Sequence, residues 1–211
     1  MLAKFTIDFS GVNYPLPYKE EDKIYVGFVA VFSGCKRAMN GNPCPDCQNP
    51  SLWEGLKWNG DMHGWIKDFV YKKYTAFQAI SPEAQFFYCI LGGEPLDQNE
   101  RELEIAHKHV MNGCGGKIPT VLYTGYDTWQ GSQYVKKYVD YIKLGAYLGN
   151  VHRKQSLPSG LATTNQRWEC VFQVSPLRTW DRGSCRNTDI KVASFSPAYV
   201  GQSMFACLAN A

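Results

Sequence analysis

The sequence predicts an α/β fold built on parallel strands, and three observations point there. Four short apolar runs look like strands buried on both faces, at residues 24 to 32, 86 to 91, 119 to 123 and 139 to 144. Amphipathic segments of helical period separate them, giving the order β-α-β-α-β-α-β. Each of the first three runs ends in a turn bearing Gly or Thr: Ser33-Gly34-Cys35, Gly92-Gly93-Glu94-Pro95 and Thr124-Gly125-Tyr126. Parallel strands joined by right-handed crossovers bring Cys35, Gly92 and Thr124 to one edge, the C-terminal edge where open α/β sheets and barrels bind ligands.

The first run, Ile-Tyr-Val-Gly-Phe-Val-Ala-Val-Phe, is rich in β-branched and aromatic residues, as a doubly buried strand should be. From Ser33 to about Asn59, Gly41, Pro43, Pro45, Pro50 and Gly55 break any regular pattern, so a long loop is expected. Behind Asp61, a candidate N-cap, Met62, Trp65, Ile66, Phe69 and Val70 recur at helical spacing, with Lys67, Asp68, Lys72 and Lys73 mostly on other faces. After the second strand, Asp97 and Glu100 read as a capping box opening a helix from about Gln98 to Asn112 that ends at Gly113. Residues 127 to 138 read as a short helix before the last strand. Beyond Asn150 the pattern fades, and residues 169 to 211 form a C-terminal extension with no assigned structure.

The 211 residues suffice for one core, so a single domain is expected over the whole chain. The composition is 45% hydrophobic and only 19% charged, which suits a globular protein with part of its surface covered by a partner. A net charge of +3, with basic residues in short pairs such as Lys72-Lys73 and Lys136-Lys137, argues against nucleic acid. The start Met-Leu-Ala-Lys-Phe-Thr-Ile-Asp has no charged leader with an apolar run, and no stretch of about 18 apolar residues occurs. A cytoplasmic protein without membrane contact is expected.

Eight cysteines in such a chain favour metal binding over disulfides wherever they cluster. Three cluster: Cys35, Cys44 and Cys47, with Cys44-Pro45-Asp46-Cys47 able to set two thiolates on one centre through a tight turn. Soft ligands of this kind suit iron-sulfur or zinc. Three thiolates on a four-iron cluster leave one iron open, and an open iron can chelate the amino and carboxylate groups of S-adenosylmethionine. Zinc instead needs a fourth ligand, for which a distant Cys or His such as His63 stands as the alternative. Three unrelated buried thiols fit poorly among so much Gly and Pro. Cys89, inside an apolar strand, is expected to be core; Cys114, Cys170, Cys185 and Cys207 lack a nearby ligand partner. His107 and His109 stand two apart on one helix, cannot share a metal, and are expected at the surface.

Taken together, Phe32-Ser33-Gly34-Cys35, Cys44-Pro-Asp-Cys47-Gln48-Asn49-Pro50, Gly92-Gly93-Glu94-Pro95-Leu96 and Tyr123-Thr124-Gly125-Tyr126 resemble the radical S-adenosylmethionine activases of glycyl-radical enzymes. The likeness is greatest to the activating proteins of anaerobic ribonucleotide reductases. Asp140-Tyr-Ile-Lys-Leu-Gly145-Ala-Tyr147 and Thr163-Thr164-Asn165-Gln166-Arg167 look like the later part of the same small activases, so the likeness spans roughly residues 24 to 168. It implies a partial (β/α) barrel, one 4Fe-4S cluster on Cys35, Cys44 and Cys47, and S-adenosyl-L-methionine held beside it. By resemblance, the backbone of Gly92, Gly93 and Glu94 takes the methionyl amine, Thr124 and Lys143 take the ribose and carboxylate, the Asp46 backbone meets the adenine, and Gln48 belongs to the same cofactor-binding set. The structural alternatives are that Thr124 caps its turn and that Lys143 is exposed on an edge strand.

Two departures from the family stand out. Eight residues, Lys36 to Pro43, separate the first two cysteines where the family usually has three, and Asp46 replaces a common aromatic residue. A longer surface loop costs little, since each doubling of length adds about 0.6 kcal/mol.

The implied activity is reductive cleavage of S-adenosylmethionine and glycyl-radical formation on the large subunit of an anaerobic ribonucleotide reductase. A flavodoxin-like or other one-electron reductant would supply the electron. Docking of a glycine loop would leave aromatics such as Trp53, Trp58 and Tyr126 partly exposed. The first rival is a radical S-adenosylmethionine enzyme acting on a small molecule, like the 7-carboxy-7-deazaguanine synthases, which also tolerate a longer cysteine loop. The second is a non-catalytic zinc or iron-sulfur binding module.

Overall fold

A computed structural model describes residues 1–9, 16–17, 23–47, 49–55, 64–116, 118–148, 161 and 165–171. They form an α/β arrangement around one open, mixed, six-stranded sheet. The strands are β1 (Leu2–Phe9), β2 (Tyr25–Phe32), β3 (Gln85–Gly92), β4 (Thr120–Tyr123), β5 (Tyr141–Leu144) and β6 (Arg167–Cys170), lying side by side in chain order. The four expected strands are β2 to β5, and all three pairings between them are parallel. β1 and β6 add to the two sides antiparallel, so the sheet is mixed rather than wholly parallel. β1 is not among the expected strands, although Phe5, Ile7 and Phe9 alternate with Lys4, Thr6 and Asp8 as in a half-buried strand.

Four α-helices are described: α1 (Lys36–Met39), α2 (Gly64–Ile80), α3 (Glu100–Gly113) and α4 (Gln133–Tyr138). Helices α2, α3 and α4 are the crossovers of the three parallel pairs. Ile66, Val70 and Phe77 of α2, Leu103, Ala106 and Val110 of α3, and Tyr134 and Val135 of α4 all pack into one cluster. Val26, Phe28, Phe32, Tyr88, Ile90, Leu122, Ile142 and Leu144 are the sheet's share of it. All three helices therefore cover the same face, which is what sequential parallel strands with crossovers of one hand require.

The opposite face buries Tyr25, Val29, Phe87, Cys89, Leu91, Val121 and Trp168. Gly27 lies in that layer because the Phe87 ring covers it: a Cβ there would sit 2.3 Å from Phe87 Cζ. Cys89 is core, as expected, and burial pushes its thiol well up.

Several boundaries move for identifiable reasons. The stretch after β2 is not wholly irregular, since α1 and a 3-10 turn at Pro50–Leu52 form within it. The Asp97 capping box does not form. A second 3-10 turn, Pro95–Asp97, carries the chain past it, and Asn99 caps α3 instead, its side chain accepting from Arg101 N at 2.9 Å. Helix α4 is six residues long rather than twelve.

His107 is buried rather than at the surface. It lies on the stripe of α3 that faces the sheet and α4, among Tyr88, Tyr134 and Tyr138, with Nδ1 3.3 Å from the Tyr134 hydroxyl. Trp65 is exposed at the start of α2, with Phe5 and Phe69 edge-on to its ring. The expected cap Asp61 and the residues Gln48, Trp58, Met62, His63, Thr163, Thr164, Cys185 and Cys207 lie outside the described residues. No described helix is long and apolar enough to cross a membrane.

Candidate metal and cofactor site

The C-terminal ends of β2, β3, β4 and β5 bring together most of the residues singled out from the sequence. Beyond β2, Gly34 turns the chain with φ +102°, and Gly34 N and Cys35 N donate to Leu52 O and Trp53 O at 2.8 and 2.9 Å. The segment around the 3-10 turn Pro50–Leu52 thus returns against the first cysteine. Cys44 and Cys47 close a four-residue turn, Cys47 N donating to Cys44 O at 3.2 Å. Pro45 presets its second residue, and Asp46 adopts φ +52° in the third, the division of labour a Pro-led tight turn requires. The Trp53 indole N–H donates to Cys47 Sγ at 3.3 Å. All three cysteines are free thiols of intermediate exposure. Partial burial pushes the Cys35 thiol up, and the charges of Glu94, Asp97 and Cys44 act in the same direction.

Next to this loop is the double-glycine turn. Gly92 has φ +131°, and a Cβ on it would fall 2.1 Å from Phe32 O; one on Gly93 would fall 2.5 Å from Gly34 O and 2.7 Å from Leu52 O. The close approach that demands glycine here is by the chain's own backbone. Gly93 N and Glu94 N donate to Phe32 O and Gly34 O, at 2.8 and 2.9 Å. The turn after β3 is thereby sewn to the turn after β2.

Glu94 contributes its side chain as well as its backbone. Its buried carboxylate accepts from Leu96 N at 3.0 Å, from the Thr124 hydroxyl at 2.6 Å and from Gly125 N at 2.8 Å. Burial raises its pKa although these three donors pull the other way. Thr124 also accepts from Tyr126 N at 3.1 Å, so it does cap its turn while tying β4 to the glycine turn.

Lys143 is neither exposed nor on an edge strand. β5 runs between β4 and β6, and the Lys143 ammonium is buried, donating to Gly145 O at 2.9 Å. Desolvation pushes its pKa down to about 8, against the opposing pull of Glu94 and Cys44.

Arg37, Asp97 and Gln98 are not among the site residues expected from the sequence, yet all three hold the site. Arg37 donates to Gly125 O at 2.8 Å. Asp97 accepts from Lys36 N at 2.6 Å and from the Tyr126 hydroxyl at 2.9 Å. Gln98 donates to Gly34 O at 3.2 Å and Glu94 O at 3.0 Å. The aromatics Trp53 and Tyr126, expected to be partly exposed, are of intermediate exposure and are engaged with Cys47 and Asp97.

Among the described residues, no group of three or more His, Cys, Asp and Glu side chains is gathered closely enough to hold a single metal ion. Ligands around a four-iron cube stand farther apart than those on one ion. Three free, half-exposed thiols on one loop at a glycine-lined edge are a donor set that fits such a cluster. Comparison with known proteins finds no matching family model, no similar curated protein and no similar solved structure.

Proposed function

We propose that this chain is a radical S-adenosylmethionine activase that generates a glycyl radical on the large subunit of an anaerobic ribonucleotide reductase. The observation that carries this reading is the placement of Cys35, Cys44 and Cys47 on one loop at the C-terminal edge of four sequential parallel strands. At that edge the Gly92-Gly93-Glu94 turn, Thr124 and Lys143 also meet. The placement of crossover helices α2, α3 and α4 on one face suits a partial (β/α) barrel rather than a doubly wound sheet.

A 4Fe-4S cluster bound here would provide the single electron that reductive cleavage of S-adenosylmethionine to methionine and a 5'-deoxyadenosyl radical requires. The chain's own part is to bind and orient. Cys35, Cys44 and Cys47 would hold the cluster. The backbone at Gly92 to Glu94 receives the methionyl amine, and Lys143, the buried cation of the edge, suits the carboxylate. Thr124 suits the ribose and the Asp46 backbone the adenine, with Gln48 in the same cofactor-binding set. A flavodoxin-like donor fits the need for one electron.

The test is anaerobic reconstitution followed by dithionite reduction and addition of S-adenosylmethionine. 5'-Deoxyadenosine would be assayed with and without a glycyl-radical ribonucleotide reductase. Product plus a partner-dependent glycyl signal in electron paramagnetic resonance is the expected result. Product without that signal points to a small-molecule substrate, as in the 7-carboxy-7-deazaguanine synthases. No product from a cluster-loaded sample points to a binding module, and zinc in place of iron would indicate a zinc site. Cys44→Ala should lose the cluster and Cys89→Ala should keep it; a full iron complement in Cys44→Ala removes the proposed ligand set.

A further inference from the structure

The eight-residue span from Cys35 to Cys44 is attached at two points to the ends of other strands. At its start, the first N–H of α1, on Lys36, is taken by Asp97 at 2.6 Å. That donor has no partner inside its own helix, and the N-cap Cys35 contributes no side-chain bond. The second Asp97 oxygen accepts from the Tyr126 hydroxyl at 2.9 Å, so one carboxylate joins the cysteine loop, the turn after β3 and the turn after β4. Further along, the Arg37 guanidinium donates to Gly125 O at 2.8 Å and to Asn42 O at 3.4 Å, while Asn42 N donates back to Arg37 O at 2.9 Å. Gly125 is also where the second cysteine arrives: a Cβ built there would lie 3.5 Å from Cys44 Sγ and 3.4 Å from Glu94 Oε2.

We propose that Arg37 and Asp97 are positioning residues that latch the lengthened cysteine loop across the ends of β3 and β4 and so fix Cys44 relative to Cys35. This rests on the reading of those cysteines as cluster ligands. Five residues beyond the family's usual spacing would let Cys44 wander with respect to Cys35. One turn of helix takes up four of the eight residues, and the two attachments restrain what remains. Neither side chain needs to touch the cluster or its cofactor.

The experiment compares the full-length wild type with Arg37→Ala, Arg37→Lys, Asp97→Ala and Lys36→Ala. Lys36→Ala keeps the backbone N–H that Asp97 uses and serves as the control. Two readouts are taken. The first is amide hydrogen exchange of residues 36–47 in the cluster-free protein; the second is the rate at which a chelator strips iron from the reconstituted protein.

Arg37→Ala and Asp97→Ala should each speed both by about tenfold, the change that loss of one charge-assisted hydrogen bond supports. Arg37→Lys, which can still reach Gly125 O, should recover part of that change, and Lys36→Ala should match wild type. Wild-type exchange in both alanine variants overturns the latch. So does exchange raised throughout the sheet as much as in the loop, which would mean general destabilisation. A wild type that takes up no iron overturns the ligand reading alone, because exchange in the cluster-free chain still tests the latch.

Discussion

In the middle of the sheet, Phe28, Ile90, Leu122 and Ile142 are wholly buried on regular parallel ladders against three helices. At the C-terminal rim, a few residues further along the same strands, little of this remains. The rim is held by glycine backbones in contact with one another, by the Glu94 carboxylate with its three donors, and by Asp97 and Arg37 reaching between loops. The interior is stabilised by area removed from water, which tolerates exchange of one apolar side chain for another of similar volume. The rim depends on direction and fit, and is correspondingly intolerant at single atoms.

The contrast breaks most visibly at Gly92. Adding one methyl there meets Phe32 O at 2.1 Å in a backbone conformation that L-residues avoid. Gly92→Ala should lose about 2–5 kcal/mol, from overpacking and left-handed strain combined. Denaturant unfolding would read it, and a stable, soluble Gly92→Ala would show that the rim is softer than described. In the interior, Phe28→Ala removes a whole ring and should cost about 3 to 5 kcal/mol. Per atom changed, the rim substitution is the more damaging.

A smaller effect separates the regions by pH. Lys143 is a buried cation with its folded pKa pushed down to about 8, below its value in the unfolded chain. Between the two values the unfolded chain binds the extra proton, so the contribution of Lys143 to stability rises as pH climbs from about 8 toward 10.5, while the raised Cys35 and Cys89 thiols act in the opposite sense at the alkaline end. Lys143→Met should remove that contribution, read as the difference between variant and wild-type urea midpoints across the same range. Glu94, raised by burial, has the opposite sign: its contribution falls as pH rises from the ordinary carboxylate range through its folded pKa. The smallest effect belongs to Asp46. Asp46→Gly removes about 1–2 kcal/mol of left-handed strain and adds about 0.5–1 kcal/mol of unfolded-chain entropy. A net gain below about 1.5 kcal/mol in thermal unfolding is expected.

Much of the interior was legible in the sequence because doubly buried strands leave continuous apolar runs. Four such runs gave β2 to β5 and, through the chain order of their turns, the edge at which Cys35, Gly92 and Thr124 meet. β1 carries the alternating pattern of a half-buried strand, Phe5, Ile7 and Phe9 between Lys4, Thr6 and Asp8, and not the continuous apolar run that marks β2 to β5. α4 is shorter than its sequence pattern because Ser132 caps it, six residues before its end. At the rim, the glycines and cysteines declared themselves by type and spacing. Asp97 has the spacing of a local cap, but its partners, Lys36 N and the Tyr126 hydroxyl, are 61 and 29 residues away, beyond any local pattern.

Residue type and spacing by themselves determined the α/β class, the clustered thiols and the glycine turn at Gly92 and Gly93. Those are local properties, set by periodicity, thiolate chemistry and the sterics of one residue. Only the tertiary structure decided that Lys143 is buried on an inner strand, that Glu94 spends its carboxylate on Thr124 and Gly125, and that Arg37 and Asp97 tie down the cysteine loop. Burial and long-range hydrogen bonds depend on which strands become neighbours. That choice is made by the whole packed sheet, not by any single segment of chain.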